Sequence, residues 1–155
     1  MISTPEEHWS PPDWFYARKR PSSDDAYFEN MSRIIFQAGL NWKVVDKKWP
    51  TTQKAFDKFS TKKVSGYSDS DVNRLMRDNG IVRNKGKILA IVENAKEFER
   101  IKKDYRSFQT YLDSLDKSHN YSLVIKEFSA RFKWMGPSSA SMFLYTVGEK
   151  IQHNE

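Results

Sequence analysis

The chain has 155 residues, enough for one domain or for two small lobes sharing a core. Lys and Arg number 26 against 20 Asp and Glu, a net charge of +6 that favours polyanionic partners. Cysteine is absent, which excludes disulfides, thiolate catalysis and cysteine-ligated zinc, and no apolar run approaches the ~20 residues that cross a bilayer.

Residues 1–23 hold four of the six prolines and little periodicity, so an irregular arm is expected there. Trp9, Trp14, Phe15 and Tyr16 are expected to pin the arm to the body, most of them by simple hydrophobic anchoring. Its polar start lacks the apolar segment of a signal peptide, which points to an intracellular protein. Residues 24–155 are expected to form a single helical domain.

From Asp24 the pattern turns helical. Asp24 or Asp25 can cap, and Phe28, Met31, Ile34, Ile35 and Ala38 share one apolar face. Gly39 is placed to stop this helix. A second helix is expected from Asn41, with Trp42, Val45 and Trp49, ended by Pro50. Thr51 or Thr52 then opens a short segment burying Ala55, Phe56 and Phe59. Ser68 and Asp71 form a start signal ahead of Val72, Leu75 and Met76, with Gly80 closing that helix. Ile88, Ile91, Val92, Ala95 and Phe98 mark a longer helix. Phe108, Tyr111, Leu112 and Leu115 mark another, and Val124, Phe128 and Phe132 a further one. Ala140, Phe143, Leu144 and Val147 follow Gly136 and Pro137. Glycine and proline fall at the joints and no convincing run of period two occurs, so the fold class is all-α, built of short helices.

Three places could carry chemistry. In Phe132–Ala140, Gly136 permits a tight hairpin and Pro137 suits a first helical turn, leaving N–H groups beside the Ser138 and Ser139 hydroxyls as a seat for one phosphate. Glycine–proline helix joints without ligands are also common. Arg83, Lys85 and Lys87 gather around Gly86 at a helix start, where cations oppose the helix dipole and a bound anion would relieve the penalty. An ordinary solvated face fits them equally. The Gln37–Trp42 turn places a ring just past its glycine, where it stacks on a flat base or sits in the core. His8, His119 and His153 are scattered, so no metal and no cofactor are expected.

Residues 27–42, with Gln37-Ala38-Gly39-Leu40-Asn41-Trp42, and residues 71–95, with Gly80-Ile81-Val82-Arg83-Asn84-Lys85-Gly86-Lys87-Ile88, resemble the 3-methyladenine DNA glycosylase I family of the helix–hairpin–helix glycosylase superfamily. Phe132–Gly148 resembles the hairpin and following helix of the same fold. The resemblance implies two lobes around a base pocket, and excision of alkylated adenine from double-stranded DNA after the nucleotide is flipped out. By carry-over, Trp42, Gln37 and Tyr16 bind the base, and Gly39 and Leu40 form the wedge in the stack. Arg83, Lys85, Lys87, Trp134, Gly136, Ser138 and Ser139 hold the backbone. A monomer is expected, cytoplasmic or associated with the nucleoid.

Departures accompany the resemblance. The family's pocket glutamate, eight residues before the tryptophan, is Ile34 here, so no catalytic residue is assigned. The tyrosine–histidine pair near the N-terminus is not recognisable, although Tyr16 or Trp14 could fill part of that space. The family's zinc ligands are missing; His153 alone falls near one of them. The position of the lysine that cuts the backbone in bifunctional glycosylases is Ser138, so lyase chemistry is not expected. Two alternatives stay open: a DNA-binding module without excision activity, and a helical scaffold whose cations only solvate it.

Overall fold

The computed structural model describes residues 17–152, and among these no strand occurs. The described helices are α1 (Asp24–Gln37), α2 (Trp42–Lys47), α3 (Trp49–Ala55), α4 (Thr61–Ser65), α5 (Asp69–Met76), α6 (Lys85–Tyr105), α7 (Phe108–Ser114), α8 (Ser118–Arg131) and α9 (Pro137–Thr146). Most are short, but α6 runs 21 residues and forms the spine, with α1, α4, α5 and α7 packed on it.

Ser23, rather than Asp24 or Asp25, caps α1 by accepting from the Ala26 N–H at 3.1 Å. The two aspartates reach outward and serve the starts of other helices. Asp24 accepts from the Phe108 N–H of α7 and Asp25 from the Thr61 N–H of α4, each at 3.0 Å. Each carboxylate thus satisfies a donor that its own helix cannot. Asn41 caps α2 through the Lys43 N–H at 2.8 Å. The Ser68 N–H donates to Asp71 at 3.0 Å, as the sequence suggests for α5.

Pro50 departs from its expected role. It lies in the first turn of α3, where a missing N–H costs nothing, so it opens a helix instead of ending one. Gly80 does not cap α5, which stops at Met76. A Cβ there would come within 2.9 Å of the Thr51 side chain, so this glycine permits close approach of the loop to α3.

Two aromatic clusters make most of the core. Trp49, Phe56 and Phe59 stack at 5.2–5.3 Å on one side. Phe98 and Phe108 stack at 4.6 Å on the other, with Phe128, Phe132 and Phe143 around Phe108. Phe28 of α1 touches both, 5.8 Å from Phe59 and 5.4 Å from Phe98. Phe59 is delivered by a left-handed turn, with φ between +52° and +56° at Asp57, Lys58 and Phe59.

The described part of the arm closes onto the end of α9. Arg18 donates to the Tyr145 and Glu149 carbonyls at 3.2 and 2.6 Å and lies over the Tyr145 ring. Gly148, at φ +85°, leaves room for the Arg18 carbonyl, which a Cβ would meet at 2.5 Å. Arg20 pairs with Asp113 at 2.8 Å.

Candidate nucleic-acid interface

The α1–α2 turn follows from its glycine. Gly39 takes φ +74°, and the Leu40 N–H folds back to the Gln37 carbonyl at 2.9 Å, the usual way a left-handed residue ends a helix. The turn thereby projects Leu40 outward, an apolar side chain left 40% exposed. Trp42 opens α2 and is half-buried. Ile34, the position that the resemblance gives to a glutamate, is buried in the core cluster and offers neither charge nor hydrogen bond. Gln37 is 2% exposed, yet neither its amide nitrogen nor its amide oxygen finds a hydrogen-bond partner among the described residues.

At the start of α6, Asn84 caps the helix by accepting from the Lys87 N–H at 3.1 Å. Arg83 and Lys85 are exposed, as a phosphate contact requires. Lys87 is not: it is 2% exposed, and its ammonium donates inward to the Phe36 and Ala38 carbonyls at 3.1 and 2.6 Å. Burial lowers its pKa from the ordinary lysine value. The expected role of Lys87 as a surface backbone contact is therefore corrected. Its place on α6 carries the reason: it lies in register with Ile91, Ala95 and Phe98, on the stripe that faces the core.

The hairpin between α8 and α9 anchors Phe132 and Met135 in the core and leaves Lys133 and Trp134 outside, Trp134 48% exposed. The left-handed residue of this turn is Trp134, at φ +59°. Gly136 sits at φ −64°, and a Cβ there would meet nothing within 4 Å, so the turn does not depend on glycine as the sequence suggested. The strained backbone at Trp134 is held instead by Asn94 of α6. That buried amide donates to the Lys133 carbonyl at 3.0 Å and accepts from the Lys133 N–H at 2.7 Å. The sequence signal for Asn94 is a polar residue on the apolar stripe of α6. Pro137 occupies the first turn of α9, with Ser138 exposed and Ser139 half-buried beside its unpaired N–H groups.

A polar seam runs between α1 and the α2–α3 pair. Arg33 pairs with Asp46 and lies 5.0 Å over the Trp49 ring; burial lowers its pKa, with Asp46 opposing. Half-buried Glu29 accepts from Trp49 Nε1 at 2.8 Å and from Gln53 at 2.6 Å, tying α1 to α3. Beside this seam, Ala17, Ala26, Glu29, Asn30, Arg33 and Thr146 line a cavity of about 240 Å³. Tyr16, Trp14 and His153 lie outside the described residues. Near the end of the described chain, Lys117 stands 2.7 Å from Glu149 and Tyr121 donates to the same carboxylate. A carboxylate already engaged by an ammonium, with no thiolate available, does not fit a zinc site. No group of three potential metal ligands occurs among the described residues.

Three motif-bearing segments thus meet at one face: the α1–α2 turn, the start of α6 and the α8–α9 hairpin. A family model described as methyladenine glycosylase matches residues 13–142. The chain belongs to the methyladenine glycosylase family. It is 37% identical over 76 residues to DNA-3-methyladenine glycosylase 1 of Escherichia coli K12, covering 49% of this chain and 41% of that protein. It is 33% identical over 85 residues to DNA-3-methyladenine glycosylase of Haemophilus influenzae, covering 55% and 46%. The matched stretch is thus under half the length of these curated relatives. In structure it resembles a crystal structure of 3-methyladenine DNA glycosylase I, with TM-score 0.75, 25% identity and 91% of each chain covered. The Staphylococcus aureus 3-methyladenine DNA glycosylase I, solved for its recognition of 3-methyladenine, gives TM-score 0.73 at 25% identity over 88% of this chain and 87% of that one. Membership in this family agrees with the all-helical architecture expected from the sequence.

Proposed function

We propose that this chain is a monofunctional DNA glycosylase that flips an alkylated purine, 3-methyladenine first among them, out of double-stranded DNA and hydrolyses its N-glycosidic bond. The observation that carries this reading is the meeting of an exposed apolar wedge, an exposed ring and exposed cations on one face of a family member. Leu40 enters the gap in the base stack, as apolar wedges do. Trp42 stacks on the flipped base, with Tyr16 of the arm completing the pocket. The buried Gln37 amide, which lacks a partner among the described residues, offers one donor and one acceptor to the edge of the base. Arg83 and Lys85 contact phosphates, and the Gly136–Ser139 segment seats another at the start of α9 beside Trp134.

The chemistry asks little of the protein. N3-methylated adenine is cationic, so it departs as a neutral base without a proton donor, and water takes its place on the sugar. No catalytic acid or base is assigned, since Ile34 supplies neither. Ser138 in place of a lysine leaves no amine there to form a Schiff base, and the product is an intact strand with an abasic site. The chain acts as a monomer of one helical domain carrying its N-terminal arm, in the compartment that holds DNA.

The test is chromatographic detection of free base released from methylated duplex DNA, with Trp42→Ala in parallel. Wild type is expected to release 3-methyladenine. The variant should lose roughly 10- to 100-fold, the worth of a stacked base, while its DNA affinity stays within a few-fold. No release by wild type with DNA binding intact would instead support a DNA-binding module without excision. The burial of Ile34 in the position of the family's carboxylate is the observation that favours that second reading.

A further inference from the structure

Lys87 is an expensive residue for a helix start. Its side chain is buried, no carboxylate pairs with it among the described residues, and burial lowers its pKa. A buried ammonium is strongly unfavourable unless its donors are satisfied. Its partners are the last carbonyls of α1, at Phe36 and Ala38, where the helix dipole is negative. On its other side the ammonium stands 5.4 Å from the centroid of the Trp134 ring. One nitrogen from α6 therefore touches both the root of the α1–α2 turn and the tip of the hairpin.

The two loops it joins need such a tie. Gly39 and Leu40 follow directly after Ala38; a Cβ at Gly39 would meet nothing within 4 Å among the described residues, and Leu40 is 40% exposed, so the tip of the turn has little lateral support there. Trp134 is half-exposed on a left-handed backbone. The geometry points to Lys87 as a positioning residue that holds the Leu40 wedge at a set distance from the hairpin, so that insertion into the stack and grip on the backbone occur as one rigid event. This inference rests on the glycosylase reading for its outcome in catalysis, but its mechanical content is separate from that reading. Lys87 touches neither base nor phosphate; it acts through Ala38 and Trp134.

The experiment uses the full chain and three forms: wild type, Lys87→Met, which keeps the apolar stem, and Lys87→Arg, which keeps the charge and donors. Circular dichroism establishes that each is folded; should Lys87→Met fail to fold, Lys87→Gln, which loses the reach but keeps a polar end, replaces it. Two duplexes carry 2-aminopurine beside the lesion, one fully paired and one with the lesion opposite an abasic gap, where no wedge is needed. Wild type should raise 2-aminopurine fluorescence on the paired duplex. Lys87→Met should lose that rise and lose at least 10-fold in single-turnover excision on the paired duplex, yet stay within about 3-fold of wild type on the gapped one. Lys87→Arg should recover most of both losses. Equal losses on the two duplexes, or an unchanged fluorescence rise in Lys87→Met, would overturn the proposal and leave Lys87 a structural cap. If wild type excises nothing, the glycosylase reading fails on its own. The fluorescence comparison still decides the role of Lys87: a rise in wild type that Lys87→Met loses supports it, and no rise in wild type overturns it.

Discussion

Asn94 and Gln37 are buried to the same degree, 1% and 2% exposed, and carry the same functional group, but they sit in opposite circumstances. Asn94 spends both ends of its amide on the backbone of Lys133 and fixes the hairpin. Gln37, at the end of α1, has neither end engaged within the described protein. A buried polar group without a partner costs about 1–3 kcal/mol, so natural chains seldom keep one without a use. On the reading proposed above, the contrast separates a residue that builds the face from one held open for the base.

Two substitutions test that contrast directly. The largest effect is expected at Gln37, in activity: Gln37→Leu should lower 3-methyladenine excision about 10-fold or more, the worth of a charge-assisted hydrogen bond to a cationic base. Its midpoint of thermal unfolding should stay level or rise by a few degrees, because an unsatisfied amide has been removed. A fall in both activity and stability would make Gln37 an ordinary core residue. Next comes Asn94→Ala, expected to destabilise by about 1–2 kcal/mol, or a drop of roughly 3–8 °C in Tm, read by calorimetry. Equal stability of Asn94→Ala and wild type would remove the hairpin clamp from the account.

The smallest effect is a pH dependence far from both amides. Burial, with a hydrogen bond to Glu127, raises the pKa of Tyr111, and burial with a hydrogen bond to Asp57 does the same for Tyr67. Unfolded tyrosines ionise near pH 10. Above that pH the unfolded state has lost protons that the native state still holds, so stability falls as pH rises. It is fully present below about pH 10. Urea midpoints measured at pH 8 and pH 11 should therefore decline, and Tyr67→Phe should reduce the decline. An unchanged slope in that variant would deny Tyr67 its part.

What the sequence disclosed divides along the range of the forces involved. The caps at Asn41 and Ser68 were legible because a side chain and the N–H it receives lie two or three residues apart. The glycine stop of α1 at Gly39 was legible for the same reason. Pro50 was ambiguous because a proline suits a helix's first turn as well as its end, and no residue beside it distinguishes the two. Lys85 and Lys87 are the same letter in the same run. Only the register of α6 tells them apart, one outward and one under Trp134. The left-handed Trp134 had no local signal, since its support comes from Asn94, forty residues earlier. The family motifs were legible throughout because they record all these distant contacts at once.

The contact of Arg18 with Tyr145 and Glu149 joins residues 127 and 131 positions apart. Closing so long a loop is unfavourable until the helices between are in place, whereas the contacts within α6–α7 and α8–α9 need only short closures. The bond between arm and α9 is therefore expected to form late in folding and to open early in unfolding. Hydrogen exchange should find the amides after Gly148 among the quickest to open, and the amides at the centre of α6 among the slowest.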